Sequence, residues 1–245
     1  MEKRRNPYGA GKKRKGRGLI LWFLGAAILA VIILVIMGIN SRKPEQIQVT
    51  QFEDPVEGAV FIQTNEKLIQ QMLENWMPND LFWPTALLDN LPNFQLGELE
   101  VVRYNVRVLR DHLSRMRTTD KLDPNAENAF TALSNDPYKW WFPSAESKWE
   151  KALESLQKFY QGLLKGQSHF YSRADNLISL LGEYASLMGG VNTRLINANR
   201  SEELVLAAED SGKTAGGGNQ EMVRINIPWY KVDNNFYYGQ GVAYA

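Results

Sequence analysis

The sequence of 245 residues contains no cysteine and only two histidines. Without cysteine the chain forms no disulfide, has no thiol nucleophile and offers no thiolate to a metal ion. His112 and His169 lack the four-residue spacing of a metal pair on one helix, and each lies beside an apolar helical face rather than on it. We therefore expect surface or boundary histidines, with no metal site and no cofactor.

Several motifs of common enzymes are also absent. The chain has neither the G-x-S-x-G elbow of many serine hydrolases nor the H-E-x-x-H zinc helix. The stretch SGKT at 211–214 ends like a phosphate-binding loop, but Ala207 stands where that loop needs glycine, so a flexible linker near 208–220 is the preferred interpretation. Carboxylates are plentiful, and the sequence does not show which of them face each other, so a hydrolytic carboxylate pair stays open.

The longest uncharged run, LILWFLGAAILAVIILVIMGI at 19–39, has 21 residues. As a helix it is roughly 32 Å long, enough to cross the hydrocarbon core of a bilayer. A cleaved signal peptide has a shorter apolar region followed by a small-residue cleavage site, and no such site follows this run. The run therefore predicts one uncleaved transmembrane helix near the amino terminus.

Charge is distributed unevenly about this run. Residues 1–18 carry eight basic residues and one acidic residue, whereas the remainder carries 20 basic and 26 acidic residues. Because basic flanks stay in the cytoplasm, 1–18 is predicted to be a cytoplasmic tail, and the rest to lie in the periplasm, anchored to the inner membrane of a Gram-negative bacterium. The acidic exterior argues against nucleic acid, so the expected partners are membrane lipid, through the anchor, and an envelope protein.

The exterior part is predicted to be an all-α bundle of five or six helices at 64–245, after a connector at 40–63. Thr64 is expected to cap the first helix, with a short extended segment before it at 59–63. The strongest signal is a stripe with spacings of three and four residues. We call it the apolar seam, and it consists of Leu99, Val102, Val106, Leu109, Leu113 and Met116.

Three further helices are predicted beyond the apolar seam. Asp123 and Pro124 start a short helix, and Ser144 caps a long one. A partner helix is expected to stop at Gly189 and Gly190, and Val191 to about Leu206 is expected to form a further helical stretch. The predicted buried face of the partner helix consists of Phe170, Ala174, Leu177, Leu181, Tyr184 and Met188.

Four arginines lie along one flank of the apolar seam: Arg103, Arg107, Arg110 and Arg117. Guanidinium groups in such a row suit an anionic ligand, such as a phospholipid headgroup or a glycan phosphate, or a binding partner. The alternative, which we favour, is salt bridging to acids on neighbouring helices, for example Glu146, Glu150 and Glu154.

Five aromatic residues lie in or next to loops: Phe82, Trp83, Trp140, Trp141 and Phe142. Loop aromatics usually plug the ends of a helical bundle, and this is the preferred interpretation here. The other interpretation is a hydrophobic groove or a contact with the outer leaflet of the membrane.

Several segments are informative together: PTALLDNLPN at 84–93, VLRD at 108–111, LSR at 113–115, PSAES at 143–147 and FYSRADNL at 170–177. The set resembles an uncharacterised bacterial family catalogued as domain of unknown function 2333, over nearly all of the chain. The resemblance implies an anchored helical protein, and the sequences of family members continue past the position of Ala245. It implies no established activity. We therefore expect a non-enzymatic binding or scaffold protein of the cell envelope, with an envelope hydrolase as the alternative.

Overall fold

The computed structural model describes residues 13–49, 55–81, 85, 88–117, 119–198, 202–206, 220–224 and 231–245. The helices and strands within these ranges are α1 (Lys13–Asn40), α2 (Ala59–Glu74), α3 (Asn90–Val108), α4 (Pro124–Leu133), α5 (Ala145–Leu164), α6 (Ala174–Asn197), β1 (Glu202–Leu206), β2 (Gln220–Arg224) and α7 (Asn234–Tyr244). One turn of π-helix, Leu109–Leu113, continues α3. The all-α prediction is confirmed. The predicted linker near 208–220 and the stretch at 211–214 lie outside the described residues, apart from Gln220 in β2.

Helices α2 to α5 run up and down between two ends of the bundle. At one end the chain after α2 meets the start of α3, where the Gln95 side chain accepts a hydrogen bond from the backbone N–H of Met77 (3.0 Å). The turn before α5 lies at the same end, because the Asn79 side-chain amide donates to the Lys139 carbonyl (3.4 Å). At the opposite end the π turn meets the segment that leads into α6.

The chain leaves α1 at the first of these ends. Lys43, three residues after α1, lies over the rings of Tyr237 (5.0 Å) and Phe94 (5.7 Å). The carbonyl of Glu45 accepts a hydrogen bond from the Tyr244 hydroxyl (2.6 Å). The connector is therefore fastened to α3 and α7 directly after α1. We call this the anchor end of the bundle, after the anchor that the sequence predicts in α1, and the opposite one the far end.

α1 contains a candidate membrane span, Gly18–Asn40, with a mean hydropathy of 3.2 and no part of its most apolar window buried. Its length and composition suffice to cross a bilayer, and an amino-terminal signal sequence passes the same test. Two side chains at the end of α1 add hydrogen bonds to carbonyls of its last two turns. The Asn40 amide donates to Ile36 (2.9 Å), and the Ser41 hydroxyl donates to Met37 (2.7 Å).

The apolar seam lies at the centre of the core. Five of its six residues are at most 1% exposed, but Met116 is 57% exposed, so its assignment to the seam is wrong. The helix ends at Leu113, and residue 116 falls in the turn that follows. Trp149 of α5 packs into the same core, and its ring meets that of Trp76 edge-on with 4.3 Å between centroids.

α2 begins earlier than predicted. Residues 59–63 are helical rather than extended, and Thr64 lies inside the helix, where its hydroxyl donates to the Val60 carbonyl (2.8 Å) instead of capping. The reason is tertiary packing, since Ala59 and Ile62 are fully buried and this burial stabilises the extra turn.

The predicted start of α4 at Asp123 and Pro124 and the predicted cap at Ser144 are confirmed. Asp123 Oδ1 accepts from the backbone N–H of Asn125 (2.8 Å), with Pro124 at the first position of α4. Ser144 Oγ accepts from the N–H of Ser147 (3.3 Å) at the start of α5. Each side chain satisfies a donor that the first turn of its helix leaves free.

α6 differs most from its prediction. It continues through Gly189 to Asn197, and 202–206 is a strand paired antiparallel with β2 rather than a helix. The predicted buried face is exposed at Leu177, Leu181 and Met188. The side that faces α3 and α7 instead carries Leu180, Tyr184, Leu187 and Val191. α6 thus has two apolar stripes, and the described part of the chain covers only one.

Candidate functional site

Arg103 is built into the contact between α3 and α4. Its Nε donates to the Leu133 carbonyl (2.8 Å), and a second guanidinium nitrogen donates to the Asn135 carbonyl. These carbonyls belong to the end of α4 and the turn after it, where helical carbonyls lack internal partners. Glu100 is 3.8 Å away. Burial lowers the pKa of the Arg103 guanidinium, and the charges of Glu100 and Asp136 act in the opposite direction.

Arg107 is more accessible than Arg103. It hydrogen-bonds Glu183 of α6, and its guanidinium carbon lies 4.5 Å from the centre of the Tyr104 ring. The two charged side chains are 38% and 30% exposed. A cleft of about 230 Å³ opens beside them, lined by Glu100, Arg103, Tyr104, Arg107, Phe130 and Ser134. A phosphate-sized anion fits this volume but would compete with Glu183 for Arg107.

Arg110 binds Asp111 through two nitrogens (2.7 and 2.8 Å) and lies 3.8 Å from the centre of the Phe130 ring. The hydrogen bond with Asp111 raises the pKa of Arg110. Burial alone would raise the pKa of Asp111, but the bond to Arg110 and the positive charges nearby lower it. Arg117 lies beyond the π turn, where its backbone N–H donates to Asp120 (2.8 Å), so the structure does not place it in the row.

The acids that meet the row are Glu100, Glu183 and Asp111, which differ from those that we expected. Glu146 instead accepts from the Asn79 amide (2.8 Å), and Glu154 pairs with Lys158 (2.7 Å) along α5. Anion or partner binding by Arg103, Arg107, Arg110 and Arg117 stays a prediction.

Burial raises the pKa of two other carboxylates. Glu98 on α3 is 1% exposed, and burial raises its pKa to about 8. Burial also raises the pKa of Glu66 on α2 to about 7. Burial is the cause of both shifts. A substrate does not reach Glu98 in this conformation, so this carboxylate does not favour the hydrolase alternative.

A polar group of three residues crosses the core, and the sequence analysis missed it. Asn105 donates to the Asn65 side-chain oxygen (3.0 Å), and the Tyr184 hydroxyl donates to Asn105 (2.6 Å). These bonds link α2, α3 and α6. Asn105 comes three residues after Val102 and directly before Val106, and an amide among seam residues is a signal that could have revealed the group.

An exposed aromatic surface lies at the anchor end. We call it the aromatic loop, and its members are Tyr138 (57% exposed), Trp140 (52%), Trp141 (68%) and Phe142 (87%). The plug interpretation is therefore wrong for Trp140, Trp141 and Phe142. Phe82 and Trp83 lie outside the described residues.

A second apolar surface extends along α6. Six large side chains on one side of this helix are between 41% and 68% exposed, and together they form the outer face of α6: Leu177, Ile178, Leu181, Met188, Leu195 and Ile196. The helix has 24 residues and is therefore about 36 Å long. An apolar surface of this extent is typical of an interaction site.

The histidines lie where we expected them. His112 is half-buried in the π turn, and His169 is exposed with its ring 5.9 Å from that of Tyr171. Among the residues that the structure describes, no three His, Asp or Glu side chains are grouped so that they could hold a metal ion.

These observations define a class: an all-α protein with one apolar amino-terminal helix and a helical domain that presents exposed apolar surfaces. The chain belongs to a family of uncharacterised proteins conserved in bacteria, DUF2333, whose model matches residues 14–245. This match confirms the resemblance noted in the sequence. No curated protein and no solved structure matches the chain.

Proposed function

We propose that the protein is anchored by α1 in the bacterial inner membrane and that its helical domain, in the periplasm, binds another envelope protein without enzymatic activity. The observation that carries this proposal is the outer face of α6. Six large apolar side chains in contact with water are unfavourable, and a partner that covers them removes that penalty.

The shape of α6 supports a helical partner. Gly182 and Gly189, which lie beside the outer face, leave open space, since nothing lies within 4 Å of the Cβ position at either of them. Small residues beside an apolar stripe let a second helix approach closely. A partner helix with its own apolar stripe would fit this surface.

The membrane placement is supported by α1 and by the charge around it. The apolar window of α1 is not buried against the domain, which leaves its side chains free for lipid. The basic residues of 1–18 favour a cytoplasmic amino terminus. A reporter that works only in the periplasm should be active when fused after Gly218 and inactive when fused within the first 15 residues, and the reverse pattern would contradict the orientation.

The partner can be tested with a photo-crosslinking amino acid placed in the full chain in living cells. At Ile178 or Leu181 we expect discrete adducts that contain an envelope protein. Lys151, exposed on α5, is the matched control and should give none. An adduct with twice the mass of the chain would assign the face to self-association instead. Equal labelling at all three positions would contradict the role of α6.

A further inference from the structure

We infer that the aromatic loop enters the headgroup region of the same bilayer that α1 crosses and holds the anchor end of the domain against the membrane. This inference deepens the proposed function and rests on its membrane anchor. It concerns a second membrane contact, made by side chains far from α1 in sequence.

The first step is the distance between α1 and the domain. The apolar run ends at Ile39, and Lys43 is at most about 14 Å further along an extended chain. Lys43 is fixed to the domain, because it lies over the Tyr237 and Phe94 rings and hydrogen-bonds Gln240. The headgroup region is roughly 5–8 Å thick on each side of the hydrocarbon core. The anchor end therefore lies within about 14 Å of the hydrocarbon core, which is within the headgroup region or directly outside it.

The second step places the aromatic loop at that same end. Gln95, next to Phe94, accepts a hydrogen bond from the Met77 N–H (3.0 Å). Asn79, two residues after Met77, donates from its side-chain amide to the carbonyl of Lys139 (3.4 Å), which lies inside the aromatic loop. This short series of contacts joins the attachment point of the anchor to the loop.

The third step is the chemistry of the loop. Trp and Tyr have apolar rings with one polar group, which suits the boundary between lipid headgroups and acyl chains. Phe142, the most exposed at 87%, is purely apolar. Lys139 lies between Tyr138 and Trp140 in the sequence, and a lysine can extend its charge toward water or lipid phosphate while its stem stays in an apolar layer. Leu81, 54% exposed and two residues after Asn79, adds to the surface.

Two attachments at one end orient the domain. Since α2 to α5 run between the anchor end and the far end, the axis of the bundle stands away from the membrane plane. The outer face of α6 then points sideways, where a partner in the same membrane can reach it.

The absence of native cysteine permits a clean test with single fluorescent labels on the full chain in phosphatidylcholine–phosphatidylglycerol vesicles. Lys139→Cys places the label in the aromatic loop, and Gln167→Cys places it at an exposed position of the far end. Nitroxide lipids quench labels at a defined depth. We expect shallow nitroxides to quench the Lys139 label several-fold more strongly than the Gln167 label, and Trp141→Ser with Phe142→Ser to remove that difference. Both replaced side chains are exposed, so helicity should not change.

A third label separates the inference from the proposal on which it rests. Leu29→Cys lies in the middle of α1 and should be quenched by deep nitroxides if α1 spans the bilayer. Failure there would overturn the anchor itself. If the label at position 29 is quenched and the label at position 139 is not, the membrane contact of the aromatic loop is overturned and the anchor is not. A Lys139 label that stays quenched after the double substitution would also overturn it, because the rings would then not be what enters the membrane.

Discussion

The carbonyl oxygen of Phe94 lies 1.8 Å from the position that a Cβ on Gly241 would occupy. The reverse contact is nearly as close, since a Cβ on Gly97 would be 2.1 Å from the carbonyl oxygen of Tyr238. α3 and α7 therefore meet backbone to backbone, with a glycine on each side. This contact attaches the last described helix to the core.

Replacing Gly241 with alanine should detach or displace α7. The neighbouring atom belongs to backbone, which cannot rotate away, so we expect a loss of about 1–3 kcal/mol in the free energy of unfolding, as for other overpacked contacts. Urea denaturation of the full chain in detergent, followed by circular dichroism, measures it. Gly189→Ala is the control, because nothing lies near its Cβ position and alanine in an exposed helix should gain roughly 0.5–1 kcal/mol. Equal effects of the two substitutions would contradict the close contact.

The apolar seam makes a second prediction. Leu109 is fully buried, so Leu109→Ala should reduce the free energy of unfolding by about 2–5 kcal/mol through lost burial and the cavity that remains. Met116 is exposed, so the free energy of unfolding of Met116→Ala should stay within about 0.5 kcal/mol of the wild-type value. A thermal midpoint that Leu109→Ala leaves unchanged would place the seam at the surface.

These contrasts show what the sequence could predict. Spacing of three and four residues identified the buried side of α3, and residue chemistry identified the helix start at Asp123 and Pro124 and the cap at Ser144. Spacing failed for α6, because that helix has two apolar stripes and only tertiary contacts decide which is covered. It also failed at Met116, since the end of the helix is not visible in a periodic pattern.

The candidate surfaces were harder to predict for the same reason. The arginine row was visible in the sequence, but its partners Glu100, Glu183 and Asp111 depend on how the helices pack. The exposure of Trp141 and Phe142 was not predictable, because an aromatic loop can either cover a bundle end or project from it, and composition does not distinguish the two. Trp141 and Phe142 lie at the same end of the bundle as Lys43 because of contacts between residues far apart in the sequence.

Glu98 should make stability depend on pH. Its pKa is about 8 in the folded chain and near 4.5 when unfolded, so between these values the folded chain holds a proton that the unfolded chain has released. The contribution of Glu98 to the free energy of unfolding is therefore greatest below about pH 4.5, and it falls as pH rises toward 8. Glu98→Gln keeps the shape without the charge and should be more stable than wild type at pH 8.

The measurement is the urea midpoint of wild type and Glu98→Gln at intervals from pH 5 to pH 8. We expect the difference to widen with pH by up to about 1.4 kcal/mol for each unit. Glu66 remains in both proteins and contributes equally to each curve. Parallel curves would show that Glu98 is ionised in the folded state.

The arginine row yields the last prediction, which separates structural from ligand-binding roles. Arg103 holds two carbonyls at the end of α4, so Arg103→Gln should cost about 1.5–3 kcal/mol, typical of hydrogen bonds to a charged group. The partly exposed pair of Arg107 with Glu183 should contribute less than about 1 kcal/mol. Arg107 is therefore the cation that a ligand can recruit without unfolding the domain.

If an anion binds in the cleft, it must displace Glu183 from Arg107. Glu183→Gln should then strengthen binding of glycerol phosphate to the full chain, measured by calorimetry, because it frees the guanidinium. Arg107→Gln should abolish the same binding, and added salt should weaken what remains, since the site is open to solvent. Stronger binding by Glu183→Gln together with loss of binding by Arg107→Gln would show that Glu183 and the anion compete for Arg107. If neither substitution changes the binding of glycerol phosphate, the pair only joins α3 to α6.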